Sequence, residues 1–471
     1  MVRDVVIGIE IHCELKTNTK MFSGAPVGFA QEPNSCVNEI DLGHPGTLPA
    51  LNKEAVKLSI MACFITGCTI NKTIRFDRKN YYYSDLPKGF QITQQFFPLG
   101  SNGTLEIDVD GFKKTIGIDR IHMEEDTAKQ FHQGDVTLID YNRAGTPLIE
   151  IVSKPDIENA KQARAYVETL RTMLLFANIS DVKMEEGSLR CDVNISLKDP
   201  LSEKLGTKVE IKNLNSIANI EKAIEAEIER QNKMLDEGKK IIQQTRRYDE
   251  SLKTTVAMRD KEAALDYRYF PEPNILPTMI TDSFYQEAIA SIPLMPKIKR
   301  QLLIETYQLK EKDADILINN KALLDYFDAI MNHTNQSTLV SNWLISEVLS
   351  ISSENDYSLL IPSEHFGEFI NLIADNKINS KQAKEVFVHM LQKKKPTDII
   401  KELNMSVVDD DNQLVEWILQ AIDNHPQSVV DYKNGKDRAV GFLVGQVMKL
   451  SKGKANPAKT NQLVKEELQK Q

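Results

Sequence analysis

Residues 5–15, VVIGIEIHCEL, alternate apolar and polar side chains. In a β-strand, where side chains repeat every two residues, Glu10, His12 and Glu14 then share one face and Ile7, Ile9, Ile11 and Cys13 the other. An imidazole between two carboxylates can hold a divalent cation or move protons, although a solvated sheet face has the same pattern. A second acidic group, Glu124-Glu125-Asp126, follows His122-Met123. Three adjacent acids repel one another unless solvent or a cation separates them. A third alternating segment, GSLRCDVNISL at residues 187–197, sets Arg190, Asp192 and Asn194 opposite Leu189, Cys191 and Val193. These offer a phosphate fork, a metal ligand and an amide dipole on one face. Glu150 sits in the apolar run PLIEIV, where an unpaired carboxylate would be costly. Together the strands predict a sheet whose open face is a cation-rich, phosphate-binding surface.

Residues 76–91, FDRKNYYYSDLPKGFQ, gather Arg78, Lys79 and Lys88 around Tyr81, Tyr82 and Tyr83. Cations beside aromatic rings can hold phosphates and stack on a nucleotide; a polar loop with core tyrosines is the plainer alternative. No G-x-x-x-x-G-K-[ST] is present, so any ATP would be held without a P-loop. The nucleophile-serine elbow and the protein-kinase signatures are also absent. Near the end, VGFLVGQVMKLSKGKANP reads as a helix that buries Val440, Leu443, Val444 and Val447. Gly441 and Gly445, one turn apart, predict close approach of another backbone. Lys449, Lys452 and Lys454 follow. Residues 433–465 hold eight bases against the single acid Asp437, a local +7 on a chain whose net charge is −9. A basic end on an acidic body suits a polyanion that touches one end of the molecule.

The elements that must position these groups are mixed. Strand patterns at residues 5–15, 115–118, 189–197 and 208–211 alternate rather than run solidly apolar, which favours an α+β unit with a one-faced, mainly antiparallel sheet. One helix is expected after an N-cap at Asp156, with Ala160, Ala163, Val167, Leu170 and Leu174 as its stripe; another runs from about Asn219 to Gly238. HMEED and KMEEG, at residues 122–126 and 183–187, form a faint echo compatible with chance or a duplicated half. Five of 18 prolines fall within residues 271–296, which marks a domain boundary. Helical patterns dominate beyond it. The expected division is residues 1–290, a mixed domain with the chemistry; 291–395, helical; and 396–471, a small basic helical tail. Over 471 residues, 41% hydrophobic and 27% charged composition argues against disorder. Five cysteines without a C-x-x-C pair argue against a disulfide framework. The same cysteine usage favours a reducing cytoplasm, and no membrane segment or signal sequence is read.

These motifs, with DLGHPGTLPALN, DYNRAGTPLIEIVSKPD, EIKNLNS and DYRYFPEP, closely resemble the B subunit of the bacterial tRNA-dependent glutamine amidotransferases across essentially the whole chain. The resemblance implies a cradle similar to the glutamine synthetase catalytic fold, followed by all-helical, tRNA-binding domains. It implies ATP-dependent phosphorylation of the side-chain carboxylate of Glu or Asp misattached to tRNA, followed by attack of ammonia. Its metal-site pattern falls on Glu10, His12 and Glu125, with Glu124, Glu150 and Asp192 as further magnesium ligands. Glu125, Arg190 and Lys79 become the catalytic candidates, Arg190, Asn194 and Lys88 the nucleotide contacts, and Lys449, Lys452 and Lys454 the tRNA contacts. An amidase A subunit and a small C subunit are the implied partners in a heterotrimer. Some relatives carry a zinc knuckle, but the corresponding positions here are Ser23, Ala25, Cys36 and Glu39. One thiolate cannot form a structural tetrahedral site, so no zinc is expected. A non-catalytic, tRNA-binding scaffold for the amidase is the alternative, and a stand-alone metal hydrolase a third reading.

Overall fold

Alternating β-branched residues place β1 (Asp4–Glu14) at the centre of a nine-stranded sheet. The structure is a computed structural model that describes residues 3–28, 31–260, 266–351, 357–403, 405, 411–434, 436, 438–451 and 454–470. It divides into two compact units, residues 1–296 and 297–471. After β1 come β2 (Thr69–Ile70), β3 (Thr73–Ile74), β4 (Asp77–Asn80), β5 (Phe90–Thr93), β6 (Gly100–Val109), β7 (Phe112–Glu125), β8 (Lys129–Gln133) and β9 (Val136–Asp140). β10 (Pro147–Ser153), β11 (Leu189–Lys198), β12 (Val209–Leu214), β13 (Gln244–Asp249), β14 (Thr254–Asp260) and β15 (Phe270–Pro271) follow. The large sheet runs β14-β13-β12-β11-β1-β10-β7-β6-β2, and only its β12–β13 pair is parallel. Helices α1 (Lys53–Ile65), α2 (Ala160–Phe176) and α3 (Ile217–Asp236) pack on strands of this sheet, so the first unit is α+β.

Ile7, Ile9, Ile11, Ile121, Met123, Ile149, Ile151, Val193 and Ile195 are all buried and join the helices in one core. Their sequence neighbours, Glu10, His12 and Glu150 among them, are thereby turned to the opposite face. Cys13 and Cys191 lie in that core.

Local details depart from the periodicity reading. The N-cap of α2 is Asn159, whose side chain accepts from the Gln162 N–H at 2.9 Å. Asp156 instead accepts from the Gly117 N–H at 2.9 Å, tying the preceding turn to β7. Helix α3 starts two residues before Asn219, capped by Ser216. β7 continues through the acidic group to Glu125, well beyond the expected end at residue 118. The two MEE segments occupy unlike structure, the first on β7 and the second in a turn before β11.

The second unit is helical, and no described helix in the chain is long and apolar enough to cross a membrane. Its last helices enclose Leu414, Ile418, Leu443, Val447, Val464 and Leu468. Within helix Arg438–Leu450, a Cβ added at Gly441 or Gly445 would meet nothing within 4 Å. Both glycines lie on the exposed side of the helix, and no other backbone among the described residues of this chain approaches them. Lys449 is exposed and Lys454 half-buried, while Lys452 lies outside the described residues.

Candidate functional site

Antiparallel register aligns Arg190, His12, Glu150 and His122 on four adjacent strands, β11, β1, β10 and β7. Directly opposed side chains on one face lie about 5 Å apart, so the backbone itself imposes this row of ionisable groups. Glu124, two residues beyond His122 on the same face, reaches into it. His12 Nδ1 lies 3.3 Å from Glu124 Oε1 and 4.0 Å from Glu150 Oε2. His122 Nε2 lies 3.3 Å from Glu150 Oε2, and the Thr93 hydroxyl donates to Glu124 Oε2 at 3.4 Å.

One ligand atom from each of His12, Glu124 and Glu150 falls within 4.8 Å of the others. Burial opposes ionisation of Glu150, but the charge and hydrogen bond of His122, with His12 and Lys79, hold it well below the usual carboxylate range. Burial likewise opposes a charge on His12, yet Glu124 and Glu150 outweigh it and raise its pKa. Two converging carboxylates attract positive charge, and protonated imidazole is one way to supply it. A divalent cation is another, and these donors suit one.

A second triad stands on the same face. Glu10, Asp192 and Glu210 also bring ligand atoms within 4.8 Å of one another. Lys212 Nζ lies 2.5 Å from Asp192 Oδ2 and 3.2 Å from Glu210 Oε1, and Asn194 donates to Glu10 at 2.8 Å. The structure thus divides five of the six expected metal residues between two groups.

Glu125 belongs to neither group. Adjacent residues of a strand face opposite sides, so Glu125 turns away from Glu124. Its carboxylate receives Lys88 Nζ at 2.5 and 2.6 Å and the Ile92 N–H at 2.9 Å. Lys79 approaches the row from β4; burial opposes its charge, but Glu124 and Glu150 raise its pKa. Arg190 directs Nη1 and Nη2 at Asp126 Oδ1 and Oδ2, 3.2 and 2.8 Å away. Asp126 is buried and also lies 3.5 Å from Arg143 Nε. Sequence reasoning missed Glu210, Lys212 and the place of His122 in the row. Glu210 and Lys212 alternate within EIKNLNS, and His122 keeps period two with Glu124; both were readable signals.

Beyond His12 on β1, Glu14 lines a cavity of about 490 Å³ with Arg143, Lys129 and Asn142. Burial, reinforced by Asp126 and offset in part by Arg190, pushes its carboxyl up to about 7. A raised carboxyl pKa favours folding below the unfolded value, and that contribution is lost as pH rises through the folded one. Wild type in chelator should therefore lose stability between about pH 4.5 and pH 7 relative to Glu14→Gln, as read from paired melting temperatures. A gap independent of pH would exclude Glu14 as the titrating group.

Residues 5–286 match the family described as the GatB/GatE catalytic domain, and residues 325–468 match the GatB domain. The chain is 45% identical over 471 residues to the B subunit of the aspartyl/glutamyl-tRNA(Asn/Gln) amidotransferase from Macrococcus caseolyticus, covering 99% of each chain. It is 48% identical to that of Geobacillus thermodenitrificans over 472 residues and 46% identical to that of Bacillus mycoides over 472, again covering 99% of each chain.

Proposed function

The chain belongs to the GatB family of amidotransferase B subunits, and from that premise we propose that its open sheet face phosphorylates a carboxylate during tRNA-dependent transamidation. The substrate is the side chain of Glu or Asp carried by tRNA, and the phosphoryl donor is ATP. The observation that carries this reading is the row Arg190–His12–Glu150–His122 with Glu124 folded into it. A carboxylate resists ammonia because its carbon is shielded by negative charge and oxide is a poor leaving group. In the first step a carboxylate oxygen bonds to the γ-phosphorus of ATP and the bond to ADP breaks. In the second, ammonia attacks the acyl carbon, loses a proton, and inorganic phosphate departs.

His12, Glu124 and Glu150 would hold a magnesium ion, with Glu10, Asp192 and Glu210 as a second such set. When bound, magnesium supplies neutralisation of charge on the phosphate oxygens. Arg190 keeps hydrogens beyond its fork to Asp126 and directs them at the transferring group. Lys79 adds a second cation, and Asn194, close to Glu10, contacts the nucleotide. Lys88 holds Glu125 on the side of β7 turned away from Glu124, so both support the strand that carries His122 and Glu124.

We assign an amidase A subunit and a small C subunit as partners in a heterotrimer, working in the cytoplasm. The test is to co-express the three subunits and supply misacylated tRNA, ATP, Mg²⁺ and glutamine. Amide formation that requires both ATP and this subunit supports the reading. Amide formed without ATP would contradict it, as would turnover by this chain alone. For the tail, replacing Lys449, Lys452 and Lys454 with Ala should weaken tRNA binding and flatten its salt slope by about 0.7–0.9 per lost phosphate contact. An unaltered slope would remove these lysines from the interface.

A further inference from the structure

Two motifs far apart in the sequence, FDRKNYYY and DYRYFPEP, lie side by side. β4 pairs with β15, the Asn80 N–H donates to the Tyr267 carbonyl at 2.9 Å, and Asn80 Nδ2 donates to the Arg268 carbonyl at 2.8 Å. This pairing lines up four rings edge to face. Tyr81 and Tyr267 are 5.9 Å apart, Tyr267 and Tyr269 5.9 Å, and Tyr269 and Phe96 6.3 Å. Lys79 Nζ stands 4.9 Å from the centre of the Tyr267 ring and 5.9 Å from that of Tyr81.

The line does not end in a core. Phe96 is 56% exposed, and its neighbour Phe97 lies 4.7 Å beneath the Arg75 guanidinium. Nearby acids are already committed: Asp77 accepts from the Gln95 and Phe96 N–H groups at 2.8 and 3.0 Å, and Glu272 is clamped by Arg78 at 2.6 and 3.2 Å. Lys79 and Arg75 have no carboxylate within 4.0 Å among the described residues. Rings interleaved with cations, leading from solvent to the carboxylate row that Lys79 also faces, match unpaired RNA. Each nucleotide presents one aromatic face and one phosphate.

We infer that Tyr81, Tyr267, Tyr269 and Phe96, with Lys79 and Arg75, form a stacking platform for the unpaired acceptor end of tRNA. The platform guides the aminoacyl group to His12, Glu124 and Glu150. This inference rests on the proposed function for its choice of RNA. Sequence-tolerant stacking suits it, because one platform must serve whatever body carries a common acceptor end.

The test compares the assembled enzyme with its Tyr267→Leu/Tyr269→Leu and Tyr267→Phe/Tyr269→Phe variants. Each is titrated with intact tRNA, with the same tRNA lacking its unpaired acceptor nucleotides, and with ATP. The leucine variant should bind intact tRNA about tenfold more weakly, at the level of shortened tRNA, while the phenylalanine variant should bind as wild type. Affinity for shortened tRNA, which reports that the fold persists, should not change. A fluorescent adenine analogue at the acceptor end should be quenched by stacking in wild type and recover in the leucine variant. Equal losses for intact and shortened tRNA would overturn the platform, as would no loss for either. A change confined to ATP affinity would instead assign the rings to the nucleotide. Because binding needs no chemistry, these results are independent of whether amide is formed.

Discussion

Glu124→Gln should lower the rate of carboxylate phosphorylation by about three orders of magnitude while leaving tRNA affinity nearly unchanged. The amide preserves the side chain's volume but removes one of the two charges that converge on His12. Charge neutralisation at a phosphoryl group contributes several kcal/mol, and each ~1.4 kcal/mol is a factor of ten in rate. The same substitution should raise the Mg²⁺ concentration needed for half-maximal activity, and it should lower the His12 pKa by removing the group that most strongly supports its charge. Single-turnover formation of ADP, measured against Mg²⁺ concentration, reads the first effect. Nuclear magnetic resonance of the imidazole reads the second. Wild-type rate and wild-type Mg²⁺ dependence together would remove Glu124 from the site.

Arg190→Ala should be comparably severe, about 10³-fold in the same assay, because a guanidinium on a transferring phosphoryl group typically contributes that much or more. Arg190→Lys should rescue little: an ammonium keeps the charge but cannot span both oxygens of Asp126 while addressing a third group. Asp126→Asn leaves Arg190 in place and loosens its aim, so a smaller loss of about 10–100-fold in kcat, with KM for ATP little altered, is expected. Equal activity in Arg190→Lys and wild type would show that the fork is structural and that phosphoryl contact lies elsewhere.

How much of this was readable follows from which contacts are local. Period two assigned the faces of β1 and β11 correctly, because alternation is a property of each strand alone. It also placed Cys13 and Cys191 in the core. The neighbour order β11-β1-β10-β7 depends on long-range pairing and could not be read from period. It is this order that turns separate polar faces into one row and places Glu150 beside both histidines. Reading the acids at residues 124–126 as one group failed because β7 was expected to end early; once the strand runs on, consecutive acids must diverge. Asn159 rather than Asp156 caps α2, because Asp156 finds the Gly117 N–H on β7, a partner invisible in local sequence. The paired glycines of the tail lie on an exposed helix face, so no contact within this chain accounts for them.

The central claim is that His12, Glu124 and Glu150 together grip the cation that accompanies ATP. Pulsed electron paramagnetic resonance of the assembled enzyme, with Mn²⁺ in place of Mg²⁺ and ATP bound, tests it most directly. The account predicts nitrogen coupling from an imidazole and phosphorus coupling from the nucleotide on the same ion, with the nitrogen signal lost in His12→Asn. Phosphorus coupling with no nitrogen coupling in wild type would contradict it.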